Sequence, residues 1–235
     1  MSFFERLSNI FFSPQRAAKA IAEKPVWVDA LILIIIAAAL FTYLSMPFQQ
    51  KDSLEMMRNN IKMQERLGEA RFNEYIANLE NPSKTGTIIR SIVIAPLSLI
   101  VGFLFQCLIL LGLGRVSSSQ GKYMHIFSGF LHARFIDIVL GGAIKTILVL
   151  TKKSFMQTTT SLAMFFPKLE VTSSAFMILS QIDFFQLWAY GVLGLVLSHI
   201  FQVELKKGLI ISYAVWLLKT LLYIALGFLS LRFMR

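Results

Sequence analysis

The sequence contains a single cysteine, Cys107, which lies inside an apolar run, so a disulfide framework is excluded. Catalytic motifs are also missing. No histidine is paired with a candidate nucleophile, no HExxH motif occurs, and no glycine-rich loop is followed by Lys-Ser or Lys-Thr. The sequence therefore predicts a protein that is not an enzyme and that uses no cofactor.

Residues with metal-ligand spacing are equally scarce. His125 and His132 share one face of a predicted helix, but no acid or cysteine joins them at ligand spacing. His199 is isolated on another apolar run, where it is expected to form a hydrogen bond with a neighbour. We therefore expect no metal site.

The sequence also lacks a polybasic block, although its formal net charge is +10, with 23 Lys and Arg against 13 acidic residues. The basic residues are spread over the ends and connections of the apolar runs. This distribution favours anionic lipid headgroups over nucleic acid as the partner of the positive charge.

Apolar residues, by contrast, are abundant: 56% of the chain is hydrophobic and the mean hydropathy is +0.65. Several runs approach or exceed the roughly 20 residues that cross a hydrocarbon core. Strand-type alternation is absent, so the spans must be helices that satisfy their own backbone groups. The sequence predicts an all-α integral membrane protein surrounded by a lipid bilayer.

Five transmembrane helices are predicted from the positions of the apolar runs. Their ranges are residues 29–46, 88–113, 127–150, 183–203 and 209–229. The polar stretch at residues 204–208 is so short that it predicts a tight hairpin. The fourth and fifth spans are therefore expected to pack antiparallel to each other.

The domain organisation follows from two segments outside the spans. Residues 1–28 are predicted to form an amphipathic interfacial segment, with Arg6 on its polar face and a second helix that starts at Pro14. Residues 29–235 form a single membrane domain. Within it, residues 48–87 are charged and predict an extramembrane helical hairpin or bent helix, interrupted near Gly68.

The fourth and fifth spans each carry a stripe of small and polar residues, which is typical of helix packing in lipid. The stripes are Asp183, Gln186, Tyr190, Gly194 and Ser198 in the fourth span, and Ser212, Trp216, Lys219, Tyr223 and Gly227 in the fifth. Asp183 is also placed to cap the fourth helix at its N-terminus. The interpretation is a packing seam between the two helices.

Charged residues at membrane depth are the candidate functional or structural polar residues. They are Arg134, Asp137, Lys145, Lys219 and Asp183. Arg134 and Asp137 can pair within one helix, and Lys145 can extend to the membrane interface. Lys219 requires a partner, and Asp137 is the only acid at comparable depth, so a contact between these two side chains is a further hypothesis.

Three stretches resemble the bacterial branch of the Yip family, whose eukaryotic members are named for interaction with Rab-type GTPases. They are residues 10–14 with 21–27, residues 121–123 leading through Phe127, and residues 181–188 followed by Gly191 and Gly194. The resemblance covers nearly the whole chain. It implies five helices, a cytoplasmic N-terminus and no established catalytic activity. The chain departs from the family at His132-Ala133-Arg134, where other members have apolar residues and proline.

The resemblance and the charge pattern together predict location and orientation. A bacterial inner membrane follows from the resemblance. The basic N-terminal arm and the Lys206-Lys207 turn favour a cytoplasmic N-terminus, because positive residues near span ends stay inside.

Two functions remain open from the sequence. The first is a non-enzymatic accessory or scaffold subunit that associates with another membrane protein, such as a transporter assembly, or organises the membrane. The second is a transporter or channel for a small solute or lipid, with a polar pathway through the third and fifth spans. A homo-oligomer is compatible with both.

Overall fold

The computed structural model describes residues 1–156 and 160–234, and it describes their side chains except those of Lys62 and residues 230–234. Every regular element in these residues is a helix, and the one bridge pair, Ser161 with Asp183, is isolated. The predicted all-α fold is confirmed.

The N-terminal segment forms two short helices, α1 (Phe3–Phe12) and α2 (Pro14–Glu23). A capping box starts α1: the Glu5 amide donates to the Ser2 hydroxyl, and the Ser2 amide donates to the Glu5 carboxylate. The hydrogen bond from the Ser2 amide to the Glu5 carboxylate is the main cause that holds the pKa of Glu5 below its ordinary value, and the Ser2 side chain adds to it. Pro14 begins α2 as predicted, because its fixed φ suits the first helical position.

The first span is longer than predicted. Helix α3 (Val28–Arg58) has 31 residues and continues past Met46 with Pro47 inside it. At 1.5 Å per residue it is about 46 Å long, which exceeds a hydrocarbon core of about 30 Å. The prediction ended the span where the polar residues begin, but polar residues that favour helix continue α3 without interruption.

Two more helices, α4 (Ile61–Leu67) and α5 (Glu69–Glu80), follow α3. Gly68 separates them with a φ of 76°, so the predicted interruption at this glycine is confirmed. An ion pair joins Arg58 at the end of α3 to Glu80 at the end of α5. The placement of this segment outside the bilayer stays a prediction.

The second span is one continuous helical stretch from Lys84 to Ser117. It consists of α6 (Lys84–Ile88), a π-helical segment (Ile89–Ile94) and α7 (Ala95–Ser117). Proline has no N–H and clashes with the preceding turn of an α-helix. The wider π-helical turn directly before Pro96 accommodates this residue.

The third predicted span is not a single α-helix. It comprises α8 (Tyr123–Ala133), a π-helical segment (Phe135–Leu140) and α9 (Gly141–Lys152). Four helical stretches in the described residues are long and apolar enough to cross a membrane: Val28–Arg58, Lys84–Ser117, Phe184–Phe201 and Leu205–Leu229. These stretches correspond to the first, second, fourth and fifth predicted spans. That the third predicted span also crosses the membrane stays a prediction.

The last part of the chain forms α10 (Ser174–Ser180), α11 (Phe184–Phe201) and α12 (Leu205–Met234). The turn between α11 and α12 uses Gln202 at φ 54°, and α12 begins at Leu205. The connection between the two helices is thus residues 202–204 rather than the predicted 204–208, because residues 205–208 already belong to the first turn of α12.

Helix α11 lies at the centre of the bundle. In its most apolar stretch of 18 residues, 56% of the residues are buried. The corresponding share is 17% for α3, 17% for Lys84–Ser117 and 22% for α12. It packs against α2, α8, α12 and the π-helical segment that follows α8. The outer helices present large apolar side chains at their surfaces, as lipid-facing helices do.

The seam between α11 and α12 is closed by two glycines. A Cβ added at Gly208 would lie 2.3 Å from the carbonyl oxygen of Gly194, and one added at Gly194 would lie 2.8 Å from the Cα of Leu209. Only glycine permits this backbone approach. Ser212 strengthens the seam by donating from Oγ to the Tyr190 carbonyl at 2.6 Å. The predicted packing seam is formed at Gly194, Ser198 and Ser212. Tyr223 is 55% exposed and Gly227 packs against Met177 of α10, so these two residues of the predicted stripe lie outside the seam.

Candidate functional site in the helical bundle

The first pair of charges lies where α8 ends. Arg134 follows α8, and Asp137 lies in the π-helical segment; their side chains are 11% and 7% exposed. Nη1 of Arg134 is 2.8 Å from Oδ2 of Asp137, so the predicted pair within one helix is formed. This contact is ionic rather than an aligned hydrogen bond, because Nη1 has no hydrogen-bond partner among the described residues.

Aromatic rings enclose the Arg134 guanidinium on its other sides. Its Cζ lies 5.5 Å from the ring centroid of Phe103, 5.6 Å from that of Phe130 and 5.9 Å from that of Tyr190. A desolvated cation–π contact contributes about 2 kcal/mol. The rings therefore offset part of the cost of burying this charge.

Lys219 on α12 has a different partner from the one predicted. Its Nζ donates to Oε1 of Gln186 at 2.5 Å and lies 5.6 Å from the ring centroid of Tyr190. The predicted direct contact with Asp137 is not formed, because Arg134 engages that carboxylate. Gln186 lies on α11, which packs directly against α12, and it is closer to Lys219.

Lys145 and Asp183 form the second ion pair. Nζ of Lys145 lies 2.9 Å from Oδ2 of Asp183, and the Lys145 side chain is 41% exposed. The extension of Lys145 to the membrane interface stays a prediction. Thr160 donates to the same oxygen at 2.6 Å. Oδ1 of Asp183 accepts from the Gln186 amide at 3.1 Å, which confirms the predicted N-terminal cap of α11.

Tyr190 lies between the Arg134–Asp137 pair and Lys219 and contacts both cations. Its ring contacts both Arg134 and Lys219, and its hydroxyl donates to Oε1 of Gln106 on α7 at 2.7 Å. All five residues predicted from sequence thus belong to one arrangement, which we call the polar cluster. Its members are Arg134, Asp137, Lys145, Asp183, Gln186, Tyr190 and Lys219.

A second buried polar group was missed by the sequence. Arg6 was predicted on the polar face of α1, but its side chain is 7% exposed and forms an ion pair with Asp29. Its Nε donates to Nε2 of His132 at 3.2 Å. Nδ1 of His132 lies 2.8 Å from the Ser128 carbonyl, which assigns the imidazole proton to Nδ1. The only sequence signal was the departure from the family at residues 132–134.

Replacing Arg6 by alanine is expected to detach α1 from the bundle, because Asp29 and His132 then lose their shared donor. Thiol labelling of a chain with Ile10→Cys measures this, since residue 10 is fully buried and Cys107 is buried too. We expect labelling at residue 10 to become roughly tenfold faster, which corresponds to about 1.4 kcal/mol of docking energy. Arg16→Ala, at an exposed position of α2, serves as the control.

An unchanged labelling rate in the Arg6→Ala chain would show that the guanidinium does not hold α1. Equal acceleration by Arg16→Ala would show that loss of any positive charge in this segment has the same effect.

The described residues contain no group of three His, Cys, Asp or Glu side chains that could hold a metal ion. Nδ1 of His199 lies 3.0 Å from the Leu195 carbonyl, so the predicted hydrogen bond with a neighbour is formed. The absence of a cofactor and of catalysis stays a prediction from sequence.

The apolar helices and the charges enclosed among them define an α-helical integral membrane protein. The family model of the Yip1 domain matches residues 8–227, and the chain belongs to this family. Members are membrane proteins that are not known as enzymes. No curated protein and no solved structure matches the chain.

Proposed function

We propose that the protein is a non-enzymatic accessory or scaffold subunit of a membrane assembly, such as a transport complex. The observation that carries this proposal is that the charged side chains of the polar cluster find their partners within the bundle. Charges that serve a transport pathway face a cavity or exchange partners with a solute. Arg134 instead lies among three rings and a carboxylate.

The contact surface for a partner is proposed to be the segment formed by the end of α3, α4 and α5. Its attachment to the bundle is specific: one carboxylate oxygen of Asp52 accepts from Ser154 Oγ at 2.9 Å, from the Phe155 amide at 2.7 Å and from the Met156 amide at 2.8 Å. Charged side chains of α5, including Arg71 and Glu74, are exposed. A charged surface that is anchored to the bundle in this way supports specific association.

The orientation and domain division are part of the proposal. Residues 1–28 form an interfacial segment, residues 29–235 form one membrane domain, and the N-terminus faces the cytoplasm of a bacterial cell. Contacts between connections support five crossings: Ser118 Oγ donates to the Phe201 carbonyl at one end, and Asp52 meets residues 154–156 at the other. Helices α8 and α9 run between these two ends.

The double reversal Arg71→Glu with Glu74→Arg tests the proposed contact surface without changing the net charge. The chain is extracted from its native membrane in mild detergent, and the size of its complex is measured by native electrophoresis. We expect the unmodified chain in a complex with a second membrane protein and the reversed chain mostly alone. Lys168→Glu with Glu170→Lys, exposed on the connection that Asp52 binds, is the control and should leave the complex intact.

A chain that is extracted alone before any substitution, or a complex that survives the reversal at residues 71 and 74, would contradict the proposed surface. Dissociation by the control pair to the same extent would assign the effect to general charge rearrangement at that end of the protein.

One observation favours the transporter as a second candidate. Nε of Arg134 and Oδ1 of Asp137 are buried and have no hydrogen-bond partner among the described residues. A solute or water could occupy such positions, because buried polar atoms normally bind something. For a transporter, Asp137→Asn should abolish flux into vesicles per folded, reconstituted protein molecule, while any complex stays intact.

A further inference from the structure

A pocket of about 350 Å³ lies at the end of the bundle where α7 and α11 finish and α8 begins. Its polar lining includes Arg115, Lys122, His125, His199, Gln120 and Gln202. This volume is at the lower end of the range for small-molecule sites, which is about 300–1,000 Å³. The pocket is separate from the polar cluster, because the two share no residue.

The charge of this lining has one sign. Arg115 and Lys122 are permanent cations, two histidines lie beside them, and no aspartate or glutamate of the described residues lines the pocket. Neither Arg115 nor Lys122 forms an ion pair within the described residues. A concave site with uncompensated positive charge attracts an anion.

The loop that shapes the pocket is fixed in place. Gly121 has a φ of 90°, and a Cβ on it would lie 2.7 Å from the Phe201 ring. Nη2 of Arg115 donates to the Gly121 carbonyl at 2.9 Å, and a second guanidinium nitrogen binds the Ser119 carbonyl. Arg115 therefore positions the loop, and Lys122 and the histidines are left to bind the ligand.

One group in the pocket lacks a partner that an anion would supply. Nδ1 of His125 is buried and has no hydrogen-bond partner among the described residues. The N-terminus of α8 directly follows Lys122 and has no side-chain cap; its His125 and Ile126 amides bind the Lys122 carbonyl. The positive end of the helix dipole therefore adds to the charge beside Lys122.

From this geometry we infer that the pocket binds a phosphate group, with Lys122, His125 and His199 as its ligands. Phosphate fits because it accepts several charge-assisted hydrogen bonds at once. The phosphate can belong to an anionic lipid headgroup or to a soluble phosphate compound. Both present the same oxygen atoms to the pocket, and the test separates them.

Binding is measured on the full chain with two probes. Labelled inorganic phosphate is equilibrated with the detergent-solubilised protein, and phosphatidic acid is compared with phosphatidylcholine for retention after reconstitution into nanodiscs. We expect saturable binding of at least one phosphate probe. The double substitution Lys122→Gln with His199→Gln should weaken it roughly tenfold, the loss expected for charge-assisted hydrogen bonds.

Lys206→Gln with Lys207→Gln is the control, because these exposed lysines lie at the same end of the bundle but outside the pocket. It should change affinity less than about twofold, the scale of exposed charges. Lys122→Arg should retain binding, which distinguishes lost charge from a misfolded loop. Binding of inorganic phosphate alone identifies a soluble ligand, and selective retention of phosphatidic acid identifies a lipid headgroup. Absence of both, or an equal loss in the lysine control, overturns the inference.

Discussion

Replacing Asp137 by asparagine is expected to lower the stability of the protein by about 3 kcal/mol, because it leaves the Arg134 charge buried without its counter-ion. The asparagine has nearly the same shape, so packing changes little and the effect is electrostatic. In mild detergent the melting temperature should fall by on the order of 10 °C. Thermal unfolding of the purified chain measures the change.

The control for this substitution is Glu204→Gln. Glu204 is exposed at the turn between α11 and α12, so its neutralisation also removes one negative charge but leaves no buried cation. Its melting temperature should stay close to that of the unmodified chain. If Asp137→Asn were equally mild, Arg134 would not depend on Asp137 for its place in the bundle.

Substitution of Gly208 by alanine is expected to separate α11 from α12. The added methyl group would lie 2.3 Å from the Gly194 carbonyl oxygen and 2.9 Å from the Ser198 amide nitrogen, and neither backbone atom can move independently of its helix. Overpacking of this kind costs about 3 kcal/mol. The shift also lengthens the bond between Ser212 and the Tyr190 carbonyl. Thermal unfolding in detergent again reports the loss.

Gly112→Ala is the matched control, since it makes the same change in a long apolar helix where nothing lies within 4 Å of the new methyl group. Alanine is a better helix former than glycine, so this variant should be as stable as the unmodified chain or slightly more stable. A Gly208→Ala chain that unfolds at the same temperature as Gly112→Ala would contradict the close approach of the two helices.

Local signals in the sequence predicted the helix boundaries that depend on local chemistry. Pro14 begins α2, Gly68 interrupts the helices after α3, and Asp183 caps α11. Each of these residues acts on its own backbone or on the next turn, so its effect can be predicted without knowledge of the tertiary structure.

Partners across helices were predicted less well. Sequence gives the depth of a charge along a helix but not the rotation of that helix, so Lys219 was matched by depth to Asp137 rather than to Gln186. The burial of Arg6 depends on Asp29 from α3 and on His132 from α8. No periodicity within α1 contains that information.

The third predicted span shows a further limit of the sequence. Its overall hydropathy predicted a single crossing helix, but the chain changes to π-helical geometry directly after Arg134. The wider turn places Asp137 beside the guanidinium, where the two charges compensate each other. Burial of the ion pair and the change of helix type occur at the same residues, and only the packed structure connects them.

Arg134 and Asp137 are expected to stabilise the bundle as a pair, because each compensates the buried charge of the other. A double-mutant cycle with Arg134→Met and Asp137→Leu measures this pairing through unfolding free energies in detergent. We expect the doubly substituted chain to be more stable than either single variant, because it contains no unpaired buried charge, with a coupling of about 2 kcal/mol or more. If the double variant were destabilised by the sum of the two single effects, the two charges would not be coupled.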